Sequence, residues 1–280
     1  MTVRIVTDST CDLPAETIAR YGIHVVPLYI NVGKQGYLDG IDMTREEFYN
    51  RLPIFAEHPT TAVPSMQRFR AAYQALADED ANEILSIHIS TSLSAVVDVA
   101  RAAARETTSV PVTVLDSQQL SLGTGFMVET AAEMAAAGSP AAEIQAHLAS
   151  QIQRSHVFAA LDTLEFLKRS GRMNKYLANF ASLLQIKPIL TMYNGQPGTE
   201  RVRTRERALK RLVEMLEAVG SLERVALVHT HAIPERLAAL RAQAAALLPQ
   251  GDLLSVDITP VIGTHIGPGA VGFAAVGASG

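Results

Sequence analysis

Short runs of β-branched residues alternate along the chain with longer segments rich in Ala and Leu. In the first half, these runs predict strands at 3–7, 23–30, 83–89 and 112–115. Apolar residues at helical spacing predict helices at 66–77, 94–106, 124–137 and 141–154. Because strands and helices take turns in this way in α/β folds, the first half is predicted to form a parallel sheet flanked by helices.

The second half predicts a mixed sheet with helices. Its predicted strands are 156–161, 186–193, 200–203, 224–229, 253–258 and 271–276, and its predicted helices are 204–218 and 234–248. Asn194-Gly195 is a turn signal that returns the chain from the second to the third of these strands, as a hairpin or a short excursion. We therefore predict two α/β domains, residues 1–155 and residues 156–280.

The last part of the chain has an unusual pattern. Residues 258–280 contain no Asp, Glu, Lys or Arg, but prolines and glycines interrupt the segment too often for a membrane helix. The pattern predicts a buried loop followed by a strand. Glycines at 263, 267 and 269 indicate a backbone that approaches a neighbouring group closely.

Composition narrows the class of protein. Of the 280 residues, 48% are hydrophobic, which is enough for a large core and excludes a mainly disordered chain. The 24 Lys and Arg against 28 Asp and Glu give a net charge of −4, so no nucleic-acid partner and no stable membrane insertion are expected. Charged Arg4, Asp8 and Asp12 stand where a signal peptide needs apolar residues, which predicts a cytoplasmic protein. The single cysteine, Cys11, is interpreted as a buried small apolar residue.

Common catalytic and metal-binding motifs are not present in a convincing form. The chain has neither G-x-x-x-x-G-K-[ST] nor a G-x-G-x-x-G sequence after a strand, so no nucleotide cofactor is predicted. His229 and His231, with Asp257, have the spacing of metal ligands but no defined third partner, and they are interpreted as polar residues at a strand end. Asp12, just before Pro14, is interpreted as a helix N-cap rather than as an acid or base.

Hydroxyl groups lie at two points where predicted helices begin. Thr61 and Ser65 precede one helix, while Ser92 and Ser94 follow a predicted strand and open another helix. In a parallel sheet such junctions meet at the carboxyl ends of the strands, where ligands usually bind. Hydroxyls and free N–H groups at a helix start suit a carboxylate or a phosphate, although each residue alone is more simply an N-cap.

Several ordered motifs resemble those of the DegV family over nearly the whole chain. They are TDSTCDLP at 7–14, TAVPS at 61–65, ISTSLS at 89–94, DS at 116–117, LEFLKRSGR at 164–172, LLQIKPIL at 183–190 and HIGPG at 265–269. The best-understood members of this family are the fatty-acid-binding subunits of bacterial fatty acid kinase. The resemblance implies two α/β domains that hold a long-chain fatty acid between them, and no other cofactor or metal.

The resemblance also implies a set of binding residues. The side chains expected to bind the carboxylate are Thr61, Ser94, His265 and Arg172, and the residues expected to support their loops are Ser65, Ser92, Gly267 and Gly269. The chain departs from the family pattern at four positions beside these residues. Ala62, Val63, Ala95 and Val96 stand where the family usually has Ser, Gln, Gly and Thr. These substitutions make the head-group end less polar.

The leading functional hypothesis is a non-enzymatic, monomeric lipid-binding protein of phospholipid metabolism. It would present the fatty acid's carboxylate to a separate fatty acid kinase catalytic subunit, which forms the acyl phosphate. One alternative is an acyl-ester hydrolase that uses Ser94 as nucleophile and His265 as base. The other is a lipid-sensing regulatory protein. The basic segment 201–211, interleaved with glutamates, is interpreted as a solvated helix face and only secondarily as a contact for an acidic partner.

Overall fold

The structure is a computed structural model, and it describes residues 2–173 and 186–279. The strands of the first half are β1 (Val3–Asp8), β2 (His24–Val26), β3 (Tyr29–Val32), β4 (Gln35–Leu38), β5 (Thr60–Ala62), β6 (Glu83–His88) and β7 (Val112–Asp116). Its helices are α1 (Ala15–Tyr21), α2 (Arg45–Arg51), α3 (Met66–Asp78), α4 (Val96–Glu106), α5 (Leu122–Ala136) and α6 (Ala141–Ile152). A parallel sheet has the order β2-β1-β6-β7, and β4-β3-β5 form a small antiparallel sheet beside it.

The second half forms a separate mixed sheet. Its strands are β8 (Ser155–Ala160), β9 (Lys187–Tyr193), β10 (Gln196–Val202), β11 (Leu222–His229), β12 (Ser255–Asp257) and β13 (Val271–Gly277). Its helices are α7 (Glu165–Arg169), α8 (Arg205–Val219), α9 (Pro234–Gln243) and α10 (Pro260–Ile266). The strand order is β10-β9-β8-β13-β11-β12, with β11 and β12 parallel and the other neighbours antiparallel. The predicted α/β class, with one parallel and one mixed sheet, is confirmed.

Helix α5 packs against both sheets. It contacts β1 and β6 on one side and β8, β11 and β13 on the other. Two glycines in its first turn permit this close packing. A Cβ atom at Gly125 would lie 2.3 Å from the carbonyl oxygen of Cys11, and one at Gly123 would lie 2.7 Å from Cγ2 of Val157. The apolar core therefore continues across the predicted domain boundary at residue 155, and the division into two domains stays a prediction.

The prediction of a single strand at 23–30 is wrong. This segment forms two strands in different sheets, because Pro27 between them has no N–H group with which to continue the hydrogen bonding of β2. The next amide, that of Leu28, donates to Ser9 Oγ at 3.1 Å instead of to a strand. The polypeptide thus leaves the parallel sheet after β2 and enters the small sheet at β3.

The segment after residue 258 also differs from its prediction. The predicted loop is the helix α10, which Thr259 caps by accepting a hydrogen bond from the amide of Val261 at 3.2 Å. Pro260 occupies the first position of this helix, where its fixed φ is favourable. The strand that follows, β13, is confirmed.

The other predicted element boundaries differ less from those of the structure. The hairpin at Asn194-Gly195 is confirmed, and it joins β9 to β10. The helix predicted at 234–248 ends at Gln243, and the strand predicted at 253–258 contains only Ser255–Asp257. Residues 183–185 of the predicted family motif lie outside the described residues. Within the described ranges, no helix has the length and apolar character that crossing a membrane requires.

Asp12 is not the predicted helix N-cap. Pro14 occupies the N-cap position of α1, while Asp12 has φ 57° and is buried. Its Oδ2 accepts from Ser121 Oγ at 2.6 Å, and its Oδ1 accepts from the amide of Thr259 at 2.8 Å. Arg45 lies 3.0 Å from the same Oδ1. Asp12 therefore joins α2, α5 and α10, which are far apart in sequence.

Asp12 should make stability depend on pH. Burial raises the pKa of Asp12 to about 6, although the charge of Arg45 acts in the opposite direction. Since the folded state then binds the proton more tightly than the unfolded state, ionisation of Asp12 favours unfolding. Relative to Asp12→Asn, the wild-type free energy of unfolding is expected to fall by about 2 kcal/mol as the pH rises from about 4 to about 6.5.

Urea titrations followed by far-UV circular dichroism measure this difference, since the chain has no Trp. A difference between the two proteins that stays constant or increases over this pH range would contradict the prediction.

Candidate functional site

An apolar cavity of about 80 Å³ lies between the small sheet, the turn before α4, and α7 and α10. The four predicted carboxylate-binding residues all line this cavity: Thr61, Ser94, Arg172 and His265. The apolar residues of its wall are Leu28, Ala62, Val63, Ile89, Leu93, Leu120, Leu167, Val261, Ile262 and Ile266. The structure thus places one small polar group of side chains against a mostly aliphatic wall.

A second cavity of about 30 Å³ shares part of this wall. Leu120, Ile262 and Ile266 line both cavities. The remaining lining of the second cavity is aliphatic apart from Ser121, Thr191 and the methionine Met192. Together the two cavities outline an apolar path that leads away from the polar group.

Thr61 and His265 are brought together from distant parts of the chain. Thr61 lies on β5, an edge strand of the small sheet, where it pairs with Ile30. His265 lies in the last turn of α10. The Oγ1 of Thr61 and the Nε2 of His265 are 3.1 Å apart and form a hydrogen bond.

Ser94 lies at the end of the turn that follows β6. Its amide donates to the carbonyl of Ser90 at 3.0 Å, which fixes its backbone. Its side chain makes no hydrogen bond to any residue of the described ranges, so the hydroxyl can bind a ligand. Helix α4 begins at Val96 with no side-chain cap, and its positive end adds a favourable potential for an anion.

Among the described residues that line the cavity, Arg172 is the one that carries a permanent positive charge. Its guanidinium Nη1 donates to the carbonyl of Ser170 at 3.0 Å. Within the described ranges Arg172 forms no ion pair, whereas Arg205, Arg211 and Arg224 each bind carboxylates. A cation without a counter-ion beside an apolar wall is suited to bind a carboxylate.

The four residues predicted to support the loops do not line the cavity. Ser65 caps α3 by accepting from the amide of Arg68 at 3.4 Å, and the Oγ atoms of Ser92 and Ser90 are 2.9 Å apart. Gly267 ends α10, and the amide of Gly269 donates to the carbonyl of Thr230 at 2.6 Å. Their supporting role stays a prediction.

Two of the four departures from the family pattern lie at the cavity. Ala62 and Val63 line the cavity next to Thr61. Ala95 occupies the N-cap position of α4, and Val96 is fully buried. The donors in the cavity are therefore those of Thr61, Ser94, Arg172 and His265 rather than of these four positions.

The apolar wall was not identified from the sequence. The residues of this wall are apolar and buried, like those of the rest of the core, so no local sequence pattern distinguishes them. The spacing of Ile262 and Ile266 on one helical face would have been informative, but the glycines around them indicated a loop.

The histidine pair and Cys11 lie in settings that do not suit metal binding or nucleophilic chemistry. The Nδ1 of His231 lies 3.2 Å from Oδ2 of Asp257, and burial lowers the pKa of the neighbouring His229. No cluster of three or more His, Cys, Asp or Glu side chains suited to a metal ion occurs in the part of the chain that the structure describes. Burial raises the pKa of Cys11 to about 12, so its thiol stays protonated.

Three basic side chains of the segment 201–211 form ion pairs with carboxylates. Arg205 binds Asp162, Arg207 binds Glu214 and Arg211 binds Glu200. These contacts agree with the interpretation of a solvated helix face.

Comparisons with known proteins agree with this fold. A DegV domain-containing protein of Deinococcus radiodurans is 38% identical over 278 residues, which are 98% of each chain. A fatty-acid-binding DegV family protein from Thermus thermophilus has a similar structure, with a TM-score of 0.90, 35% identity and coverage of 99% of this chain and 100% of that chain. The fatty acid binding protein DegV of Bacillus subtilis gives a TM-score of 0.90 at 30% identity, with the same coverage.

The sequence profile of the family described as uncharacterised protein, DegV family, matches residues 2–278. It thus includes both sheets and every residue that lines the cavity. This chain therefore belongs to the DegV family.

Proposed function

We propose that this protein binds a long-chain fatty acid, with its carboxylate at Thr61, Ser94, Arg172 and His265. The observation that carries the proposal is that the guanidinium of Arg172, which has no counter-ion among the described residues, lines the same aliphatic cavity as Ser94, whose hydroxyl bonds none of these residues. The tail would follow the apolar wall past Leu120 toward the second cavity. Two structural relatives described as fatty-acid-binding support the same ligand.

The energetics assign different roles to the two ends of the ligand. Hydrogen bonds to a charged group contribute about 1.5–3 kcal/mol each, but they are offset by the cost of removing the carboxylate from water. An acyl chain gains about 0.8 kcal/mol for each buried CH₂. The tail therefore supplies most of the affinity, and the head group fixes the orientation.

The finer proposal concerns the use of the bound lipid. The protein presents the carboxylate to a separate, cytoplasmic fatty acid kinase, which forms the acyl phosphate for phospholipid metabolism. In this role the chain itself is a monomeric carrier and not an enzyme. The basis is the family resemblance together with the position of Ser94, Arg172 and His265 on a turn and near helix ends, where a partner can reach them.

The geometry does not favour the hydrolase alternative. A serine nucleophile needs a base within hydrogen-bond distance. The Nε2 of His265 bonds Thr61, and the hydroxyl of Ser94 bonds none of the described residues. The side chain of Ser94 is thus arranged as a donor to a ligand rather than as an activated nucleophile.

The first prediction concerns the ligand. Protein purified from a bacterial host is expected to contain about one fatty acid per chain, because burial of the tail opposes its release into water. Extraction with organic solvent and mass spectrometry would identify the lipid. Only trace acyl chains in folded protein would contradict the proposal.

The second prediction concerns the head group. Ser94→Ala and Thr61→Ala should each weaken fatty-acid binding by about 1–3 kcal/mol, since a buried carboxylate loses a donor. Displacement of a fluorescent fatty acid measures this change. Thr44→Ala serves as a control: Thr44 caps α2 away from the cavity, so its loss should lower stability and leave affinity unchanged.

Equal affinity of wild type, Ser94→Ala and Thr61→Ala would remove these two hydroxyls from the site. If Thr44→Ala lost as much affinity as Ser94→Ala and Thr61→Ala, the loss of affinity would reflect lower stability alone.

The third prediction concerns the reaction. Lipid-loaded protein mixed with ATP and Mg²⁺ should form acyl phosphate only when the kinase of the same organism is added, and hydroxylamine traps the product. Product without the kinase would contradict the carrier role. No product with a kinase that is active on another carrier would favour lipid sensing, and release of a chromophore from an acyl ester that Ser94→Ala abolishes would favour the hydrolase.

A further inference from the structure

A fully buried hydrogen-bond chain lies behind the cavity, at the carboxyl ends of β1 and β6. Its members are Asp8, His88, Ser86 and Tyr73, and each has an exposed fraction of 0%. The Nδ1 of His88 lies 2.9 Å from Oδ2 of Asp8, and its Nε2 lies 2.7 Å from Oγ of Ser86. The hydroxyl of Tyr73 is 2.9 Å from the same Oγ. None of the four lines the cavity.

The carboxylate of Asp8 accepts four hydrogen bonds from the described residues. Besides His88, its carboxylate accepts from the amide and hydroxyl of Thr10 and from the amide of Ile89 at 3.2 Å. Burial raises the pKa of Asp8, but the hydrogen bonds and charge of His88 and the bonds from Thr10 outweigh it and leave the pKa below its ordinary value. Because an ionised carboxylate only accepts, Nδ1 of His88 donates to it.

The bond from Ile89 connects Asp8 to the site. Ile89 lines the cavity and begins the turn that ends at Ser94. The next residue, Ser90, donates its amide to the carbonyl of Gln119 at 2.8 Å. The carbonyl of Ser90 then accepts from the amides of Leu93 and Ser94, both at 3.0 Å. Asp8 is therefore one of the groups that fix the turn leading to Ser94, and others are Gln119, which accepts from Ser90, and Asp116, which accepts from Thr91.

Asp8 also affects the opposite wall of the cavity. It caps the short turn Ser9–Cys11 through Thr10. The hydroxyl of Ser9 accepts from the amide of Leu28 at 3.1 Å, and Leu28 lines the cavity. One buried carboxylate thus fixes the backbone on two sides of the proposed ligand.

We propose that Asp8, held in place by His88, is a positioning residue for carboxylate binding, which it supports by fixing the Ile89–Ser94 turn rather than by touching the ligand. This inference rests on the proposed function. Asp8→Asn keeps the size of the side chain but replaces one accepting oxygen by a donor, which is incompatible with the amide of Ile89 or of Thr10. The turn then shifts, and Ser94 loses its alignment with the carboxylate.

The test compares palmitic acid with 1-hexadecanol, which has the same chain length but no carboxylate. Both displace a fluorescent fatty acid from delipidated protein, and the ratio of their affinities measures recognition of the head group alone. We expect Asp8→Asn to lower this ratio about tenfold. In the Ser94→Ala background it should change the ratio no further, since both substitutions remove the same interaction.

His88 supplies an independent pair of variants. His88→Leu removes the donor to Asp8 and should lower the ratio, whereas His88→Asn keeps an N–H near the position of Nδ1 and should retain it. Thr7→Val is the matched control. Thr7 precedes Asp8 in β1 and is equally buried, but its hydroxyl has no partner among the described residues. It should leave the ratio at its wild-type value.

The possible outcomes separate the two proposals. A wild-type protein that does not prefer palmitic acid would contradict the proposed head-group site itself. A wild-type preference that persists in folded Asp8→Asn and His88→Leu, or effects of Asp8→Asn and Ser94→Ala that simply add, would overturn the positioning role. Circular dichroism establishes folding, and if Asp8→Asn does not fold, the comparison of His88→Leu with His88→Asn decides the matter.

Discussion

The burial of helix α5 between two sheets is the contact on which the rest of the fold depends. Leu122, Phe126 and Met127 are buried, and each such side chain stabilises the fold by about 1.5–3 kcal/mol. Leu120, just before this helix, lines both cavities, and several residues of the cavity wall belong to the same apolar cluster that α5 completes. The cavity at the proposed binding site therefore shares its apolar wall with the core that α5 completes.

Much of this architecture follows from local sequence. The positions of β1, β6, β7 and the longer helices agree with the predicted ones to within a few residues, because each element buries apolar residues that are also visible as a pattern in the sequence. Asp12 shows where local reasoning fails. Its partners Ser121 and Thr259 are 109 and 247 residues away, so the short-range preference of Asp before Pro for a helix cap was the wrong guide.

The candidate site was less predictable from local sequence than the fold. Composition and spacing indicated hydroxyls at strand ends, but the choice of Thr61, Ser94, Arg172 and His265 came from the family resemblance. The structure places these four around one cavity, while their role in binding stays a prediction. The buried chain from Asp8 to Tyr73 was not predictable, because its members come from β1, α3 and β6 and no spacing along the sequence relates them.

Helix α10 contacts both proposed regions of the ligand. It places His265 at the head group and Ile262 and Ile266 at the wall shared with the second cavity. An α-helix rises about 1.5 Å per residue, so the spacing of these side chains is set by the helix itself and does not depend on how the two sheets lie relative to each other. A displacement of this helix would therefore carry the polar group of His265 and the apolar wall of Ile262 and Ile266 together, so that the polar end of the first cavity and the wall shared with the second would move as one piece.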